Sequence, residues 1–383
     1  DWCTLSTMSG EKKTELTLTI DAGSESREGE IVFKLDEYDY TTTCRVAQYY
    51  YEHEEDEEIT LQTHSRGKGI NLVFLGDGFD AENISNGDYL RVMNEQMERF
   101  FDIEPYHTYR DYFNVSTAIA VSPESGIGTV NTVRNTKFET TFTGGVGLRG
   151  NYSAIFNYAM EVSPVDESNL NQSLIVVTPN TIDYGGITEM WTDGSAIAFC
   201  PLSEDSYPYD ARGIIQHEAG GHGFGKLGDE YIYHNAFIDF CDCTCCEHVF
   251  EFNIAKSLGW YENLSLTGKM HEVPWSHLIF DDRYSDVVDI YEGGFKHARG
   301  VFRSEQNSCM NNNISYYNAI SREAIVKRIM EYAGESYSFE KFVENDKRDV
   351  VNSLSRSAER SGVTVRGNQY APRIHKGKPD ILK

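Results

Sequence analysis

With 383 residues, of which 40% are hydrophobic and 13% aromatic, the chain is long enough for two or three domains with sizeable cores. Its 60 acidic against 34 basic residues give a formal charge of -26, which opposes nucleic acid and anionic membranes as partners held by unspecific electrostatics. No apolar run approaches the ~20 residues of a membrane span, and the opening "DWCTLSTMSG" carries no signal-peptide pattern, so Asp1 is expected not to begin the gene product.

Residues Trp2 to Tyr51 read as strands. "ELTLTI", "EIVFKL" and "TTTCRVAQYYY" are short and rich in β-branched or aromatic residues, with the turn-forming "DAGSESREG" between the first two. This predicts a small all-β module over residues 1–60. It closes on "EHEEDEE", Glu52 to Glu58, a run of like charges that repel and are expected to form a solvated linker.

A different pattern begins at "INLVFLGDGF". The apolar run Ile70 to Leu75 is bounded by glycines, as expected of a strand buried on both faces, and the amphipathic "NGDYLRVMNEQMERFFDI" predicts a helix after it. "YFNVSTAIAV" (Tyr112 to Val121) and "QSLIVVTP" (Gln172 to Pro179) predict two more strands, with a helix at "NYSAIFNYAMEV" between them. Farther on, "SREAIVKRIMEYAG", Ser321 to Gly334, predicts a helix with glycine at its end. An α/β domain over 61–350 follows from these elements. Residues 351–383 change character, becoming basic and interrupted by Pro372 and Pro379, and are expected to form an irregular tail packed on the acidic body.

The chemistry concentrates in "QHEAGGHGFGKLGDEY", Gln216 to Tyr231. A His-Glu pair followed by a second His on a buried helix is a donor set suited to zinc, with the Glu placed to take a proton from an activated water. In H-E-x-x-H the histidines are i and i+4 and share one face. Here they are His217 and His222. On a regular α-helix residues i and i+5 differ by ~140° around the axis, so these side chains would point apart. A π-bulge absorbs one extra residue, and Gly220 and Gly221 make unusual backbone angles affordable; the opposing reading is that a glycine-rich break ends the helix and the histidines are unrelated. Gly223 and Gly225 are expected to end the helix, after which "LGDEY" returns a carboxylate. Asp229 is the candidate third ligand and Glu230 the fallback, against the possibility that both are helix-cap or salt-bridge acids.

"HEAGGHGFGKLGDEY" resembles the signature of the IgA-peptidase family of bacterial zinc metallopeptidases, and "INLVFLGDGF", "PYHTYRDYFNV" with "ESGI", "VDIYEGGFKHARGVFRSEQNSCM" and "NAISREAIVKRI" resemble its other recurrent blocks, over most of Ile70 to Gly334. The extra glycine departs from the family's pattern. The resemblance implies an α+β, mixed α/β metzincin-like catalytic domain with zinc on His217, His222 and Asp229, Glu218 as general base, and a methionine turn at Met310 beneath the metal. It also implies an oxyanion role for Tyr316 or Tyr317, a substrate lying along an edge strand from "LIVVTPNTIDYGG" or "SAIAF", and a secreted or outer-membrane surface-attached bacterial protein cleaving extracellular protein or glycoprotein. IgA itself is not implied as substrate, since specificity resides in the site and not in the fold.

The opening segment, through "DWCTLSTMSG", "SREGEIVF" and "CRVAQY", is similar to the later strands of the BACON β-sandwich, which implies a partial N-terminal sandwich module acting in carbohydrate contact or as a plain spacer. Of the eight cysteines, Cys241, Cys243, Cys245 and Cys246 crowd into "CDCTCCEH". With His248 they invite a second metal site, while an exported protein is expected to bridge them to distant cysteines such as Cys309 or Cys200. The function expected overall is a zinc endopeptidase; the alternative is a catalytically lapsed relative that binds glycoprotein or polysaccharide, with the extra glycine as its lesion.

Overall fold

Short strands with apolar residues on one side produce hairpin-like pairs at the start of the chain. β1 (Cys3–Leu5) pairs antiparallel with β2 (Leu18–Ile20), and β3 (Arg27–Leu35) with β4 (Tyr40–Gln48), as two separate two-stranded sheets. The computed structural model describes residues 2–11, 13–21, 23, 25–35, 40–50, 52–240, 248–348 and 371–381. A sandwich fills two facing apolar layers, whereas among the described residues of this module only Val46 is a buried hydrophobe, and Val32, Leu35 and Tyr40 are exposed. The acidic run leads directly into β5 (Glu58–Gln62), and Lys137 holds it through Glu55 and Asp56, both at 3.0 Å.

The central sheet begins there. After β6 (Ile70–Asp77) come α1 (Ala81–Ser85), capped by the Asp80 side chain, and α2 (Asp88–Phe101). Then follow β7 (Phe113–Ala118), the small hairpin β8 (Thr141–Phe142) and β9 (Leu148–Arg149), and α3 (Tyr152–Glu161). β10 (Leu174–Pro179), β11 (Ile187–Trp191), β12 (Ala196–Phe199) and α4 (Ala211–Ile215) lead into the active-site segment. Beyond it stand β13 (Ile232–Phe237), α5 (His248–Ser257), β14 (Leu264–Ser265), α6 (Ser276–Ile279), β15 (Tyr291–Gly294) and β16 (Lys296–Arg303). The chain continues through α7 (Cys309–Asn312), α8 (Ala319–Ala333), α9 (Phe339–Asn345) and β17 (Arg373–His375).

Seven strands form one mixed sheet in the order β17-β11-β12-β10-β6-β7-β5. The four central strands β12, β10, β6 and β7 run parallel, β11 and β5 are antiparallel to their inner neighbours, and β17 runs parallel to β11. Their uninterrupted aliphatic character follows from being covered on both faces: Val73, Phe74, Leu75, Ile175, Val176 and Val177 are all fully buried, each contributing roughly 1.5–3 kcal/mol if its whole side chain leaves water.

Side chains alternate across a strand, so neighbours in β11 serve opposite layers. Thr188 points to the active-site segment and bonds Glu218, while Glu189 points to the other face and accepts from Tyr152 of α3 at 2.7 Å. Two expectations are corrected here. The "LIVVTP" part of "LIVVTPNTIDYGG" is β10 and "SAIAF" contains β12, both flanked by strands on each side, so neither strand offers an edge to a substrate; strand order depends on crossovers that local pattern does not encode. The tail is not wholly irregular either, because Arg373–His375 adds β17 to β11, with His375 stacked on Trp191 and bonded to the buried Glu189 at 2.7 Å.

Candidate metal centre

The Asp210 carboxylate caps α4 by accepting from the Gly213 amide at 2.9 Å, and α4 buries Ile214 and Ile215. The helix does not break at Gly220 and Gly221 and ends, as expected, with Gly225 as its cap. It passes into a π-helix over Gln216–Phe224, in which, for example, the Gly225 amide reaches back five residues to the Gly220 carbonyl at 3.0 Å. Gln216 anchors its start by donating to the carbonyls of Arg99 and Asp102 at the end of α2.

The role of the glycines differs from the expected one. None of Gly220, Gly221, Gly223 and Gly225 has a positive φ, so the backbone does not need them for its angles. They provide room. A Cβ on Gly221 would lie 2.2 Å from Met310 Sδ, and one on Gly220 would lie 2.5 Å from the Tyr317 hydroxyl oxygen. Through that gap the Tyr106 hydroxyl donates to the Gly220 carbonyl at 2.6 Å and the Tyr317 hydroxyl donates to the Gln216 carbonyl, giving the carbonyls of the wide turn donors from outside the helix.

The wider turn brings His217 and His222 face to face, with Nε2 atoms 3.1 Å apart. Each ring is fixed from behind: His217 Nδ1 donates to the Cys309 carbonyl at 3.0 Å and His222 Nδ1 to the Leu227 carbonyl at 2.7 Å. With those protons committed, both Nε2 lone pairs point into one space. Asp229 Oδ1 completes the triangle, 3.2 Å from His217 Nε2 and 3.1 Å from His222 Nε2, while Asp229 Oδ2 is buried without a hydrogen-bond partner. Three buried donors at these separations match ligands about 2.0 Å from one ion at tetrahedral angles. Burial pushes the Asp229 carboxyl up, but His222 and His217 outweigh it and hold it below the usual carboxylate range. In return, and against the effect of burial, Asp229 and Glu218 raise His217 to about 8.

Glu218 lies on the open side. It lines a small cleft with Val146, Tyr184, Gly185, Gly186, Ile214 and His217, and Thr188 Oγ1 lies 2.8 Å from its Oε2 and from its carbonyl oxygen. Gly186 packs so closely that a Cβ there would stand 3.0 Å from Glu218 Cγ. Burial raises the Glu218 carboxyl above its ordinary value, partly offset by the two histidines and Thr188.

The sequence profile described as IgA Peptidase M64 matches residues 59–255, from β5 through most of α5. The chain belongs to the IgA peptidase M64 family. It is therefore a peptidase of the metallopeptidase class, and its His-His-Asp cluster lies inside the matched span. No curated protein matches the chain. No helix among the described residues is long and apolar enough to cross a membrane.

In this M64 peptidase Met310 lies beyond the matched span, fully buried on α7 and packed against Gly221. The preceding Cys309 carbonyl orients His217, and the Met310 carbonyl accepts from the Glu230 amide at 2.8 Å. Glu230, the fallback ligand, faces away from the triangle: Oε1 accepts from Asn263 and Asn318 at 2.9 and 2.7 Å, and Oε2 from Ser308. An oxyanion role for Tyr316 or Tyr317 is likewise corrected. Tyr316 donates to Glu305 at 2.6 Å, Tyr317 is committed to Gln216, and neither lines the cleft.

Cys200 and Cys309 are free, buried thiols, which overturns the bridges expected to them; burial pushes both thiols up. Cys241–Cys246 lie outside the described residues. Sequence reasoning missed Thr188, Tyr106 and the carbonyls of Cys309 and Leu227, because each acts through a tertiary contact with no local spacing signal.

Proposed function

We propose that this M64 peptidase is a zinc-dependent endopeptidase acting outside the cell on protein or glycoprotein. The observation that carries the reading is the triangle of His217 Nε2, His222 Nε2 and Asp229 Oδ1, with edges of 3.1–3.2 Å, beside a buried carboxylate facing a cleft. These three residues would hold zinc, which would supply Lewis acidity to polarise a scissile carbonyl and lower the pKa of water toward ~7.

The chain's own residues do the rest. Glu218 accepts a proton from the attacking water and delivers it to the departing amine; a carboxyl raised by burial is matched to both halves of that task. Thr188 restrains the Glu218 side chain at the cleft. Gly185 and Gly186, carrying no side chains, leave the cleft wall open to a peptide backbone. Burial of His217, His222 and Asp229 excludes bulk water and strengthens every charge interaction around the reacting atoms. The π-helical turn weighs against the catalytically lapsed reading, which rested on histidines pointing apart.

Glu218→Gln tests the assignment. Cleavage of a peptide library is expected to fall by about 10²–10⁴-fold with zinc content unchanged from the parent chain. Cleavage at the parental rate would remove Glu218 from the mechanism.

A further inference from the structure

Away from the peptidase centre, a second group of imidazoles gathers where β13, α5 and β16 meet. His297 on β16 is fully buried, and its Nδ1 donates to the Phe295 carbonyl at 2.6 Å. That bond places the ring's proton on Nδ1 and leaves Nε2 bare, the orientation in which metal-ligating histidines are commonly held. Nε2 faces His248 Nδ1, at the first residue of α5, across 3.4 Å. His234, the register partner of His297 on β13, brings a third ring with its centroid 5.6 Å from that of His297.

A hydrogen-bonded core pair explains this geometry poorly. At 3.4 Å the pair makes at best a long hydrogen bond, and the separation matches two nitrogens held about 2.0–2.1 Å from one tetrahedral ion, which stand roughly 3.3–3.4 Å apart. Burial, then Lys296 and the neighbouring histidines, pushes His248 down to about 4, and burial lowers His297, so both rings are neutral donors near pH 7.

We propose that His248 and His297 supply two nitrogens to a second binding site for a divalent transition-metal ion of the zinc class, which braces the peptidase centre without taking part in its chemistry. The bracing runs through the backbone. Gly293, Gly294, Phe295 and Lys296 all have positive φ, an arrangement that costs about 1–3 kcal/mol at each non-glycine residue. This turn is stitched to the ligand-bearing segment by the Phe295 amide on the Asp229 carbonyl at 2.8 Å and the Lys296 amide on the Tyr231 carbonyl at 3.0 Å. An ion joining His297 to α5 fixes the turn, and the turn fixes Asp229.

The test is metal counting on the full chain, stripped and reloaded with Zn2+. Two equivalents are expected in the parent, and one in each of His248→Gln, His297→Gln and His222→Ala. The first of these also loses part of the thermal stabilisation given by zinc while retaining measurable peptidase activity. A parent chain saturating at one equivalent overturns the site, as does retention of two equivalents by both His248→Gln and His297→Gln. Should those variants fail to fold, histidine-ring 15N NMR of the parent decides: ring signals of His248 and His297 shift as the second equivalent binds, and unchanged signals overturn the proposal. Loss of the first equivalent alone, in His222→Ala, reports on the peptidase centre separately.

Discussion

His217 and His222 are five residues apart, and their Nε2 atoms lie 3.1 Å from each other. A regular helix would set these side chains ~140° apart. The π-helical turn between Gln216 and Phe224 takes up the additional residue, and the external donors Tyr106 and Tyr317 stabilise two of its carbonyls.

If the glycines serve space, adding one methyl group at the right place should disturb the site. Gly221→Ala is expected to destabilise the chain by about 1–3 kcal/mol through overpacking against Met310. Combined with Met310→Ala, it should cost less than the two single changes summed, because the clash has been removed. Urea unfolding of the four species checks this, and simple additivity would count against the contact.

The tyrosine donors offer a second check. Tyr106→Phe and Tyr317→Phe each remove a hydroxyl from a buried helix carbonyl and should cost about 1 kcal/mol or somewhat more. The double variant is expected to bind zinc more weakly than either single variant in competition with a chelator. Parental affinity in the double variant would mean that the turn holds its shape unaided.

Much of the frame was legible from sequence, and the reasons are local. The glycine-bounded run at Ile70 and the apolar "LIVV" became fully buried parallel strands, and Gly334 ends α8 with a left-handed φ of 72°. The histidine spacing itself pointed to a bulge. What remained hidden depends on residues far apart in the chain. Thr188 reaches Glu218 because β11 lies against the π-helix, and β17 joins the sheet through a parallel pairing of only three residues. Asp229 and Glu230 are adjacent carboxylic acids; their different fates follow from Asn263, Asn318 and Ser308, which bind Glu230 on the far side.

Thr188→Val preserves shape and removes one hydroxyl. Its loss should lower kcat by about 10-fold or more, as expected for a hydrogen bond to a charged group worth about 1.5–3 kcal/mol. Because Thr188 lowers the Glu218 carboxyl, its removal should also move the acid limb of the pH–rate profile to higher pH. An unmoved acid limb would argue that Thr188 does not act on the base.

Glu305 should leave a signature in stability. Burial raises its carboxyl to about 7 despite Arg322 and the bonds from Tyr316 and Ala319, whereas the unfolded chain ionises it near ~4.3. Over that window the folded state holds the proton that the unfolded state has released, so stability falls as pH rises from ~4.3 to about 7. Glu305→Gln should remove a decline on the order of 3–4 kcal/mol across this range. Denaturant midpoints of parent and variant that keep the same pH slope would contradict it.

The most direct test of the central claim is a crystal structure of the zinc-loaded chain with an anomalous difference map at the zinc edge. The expected result is a peak about 2.0–2.1 Å from His217 Nε2, His222 Nε2 and an Asp229 carboxylate oxygen, with Glu218 beside it and unligated. A map without density there, or a zinc ion held by one imidazole while the other points away, would contradict the account.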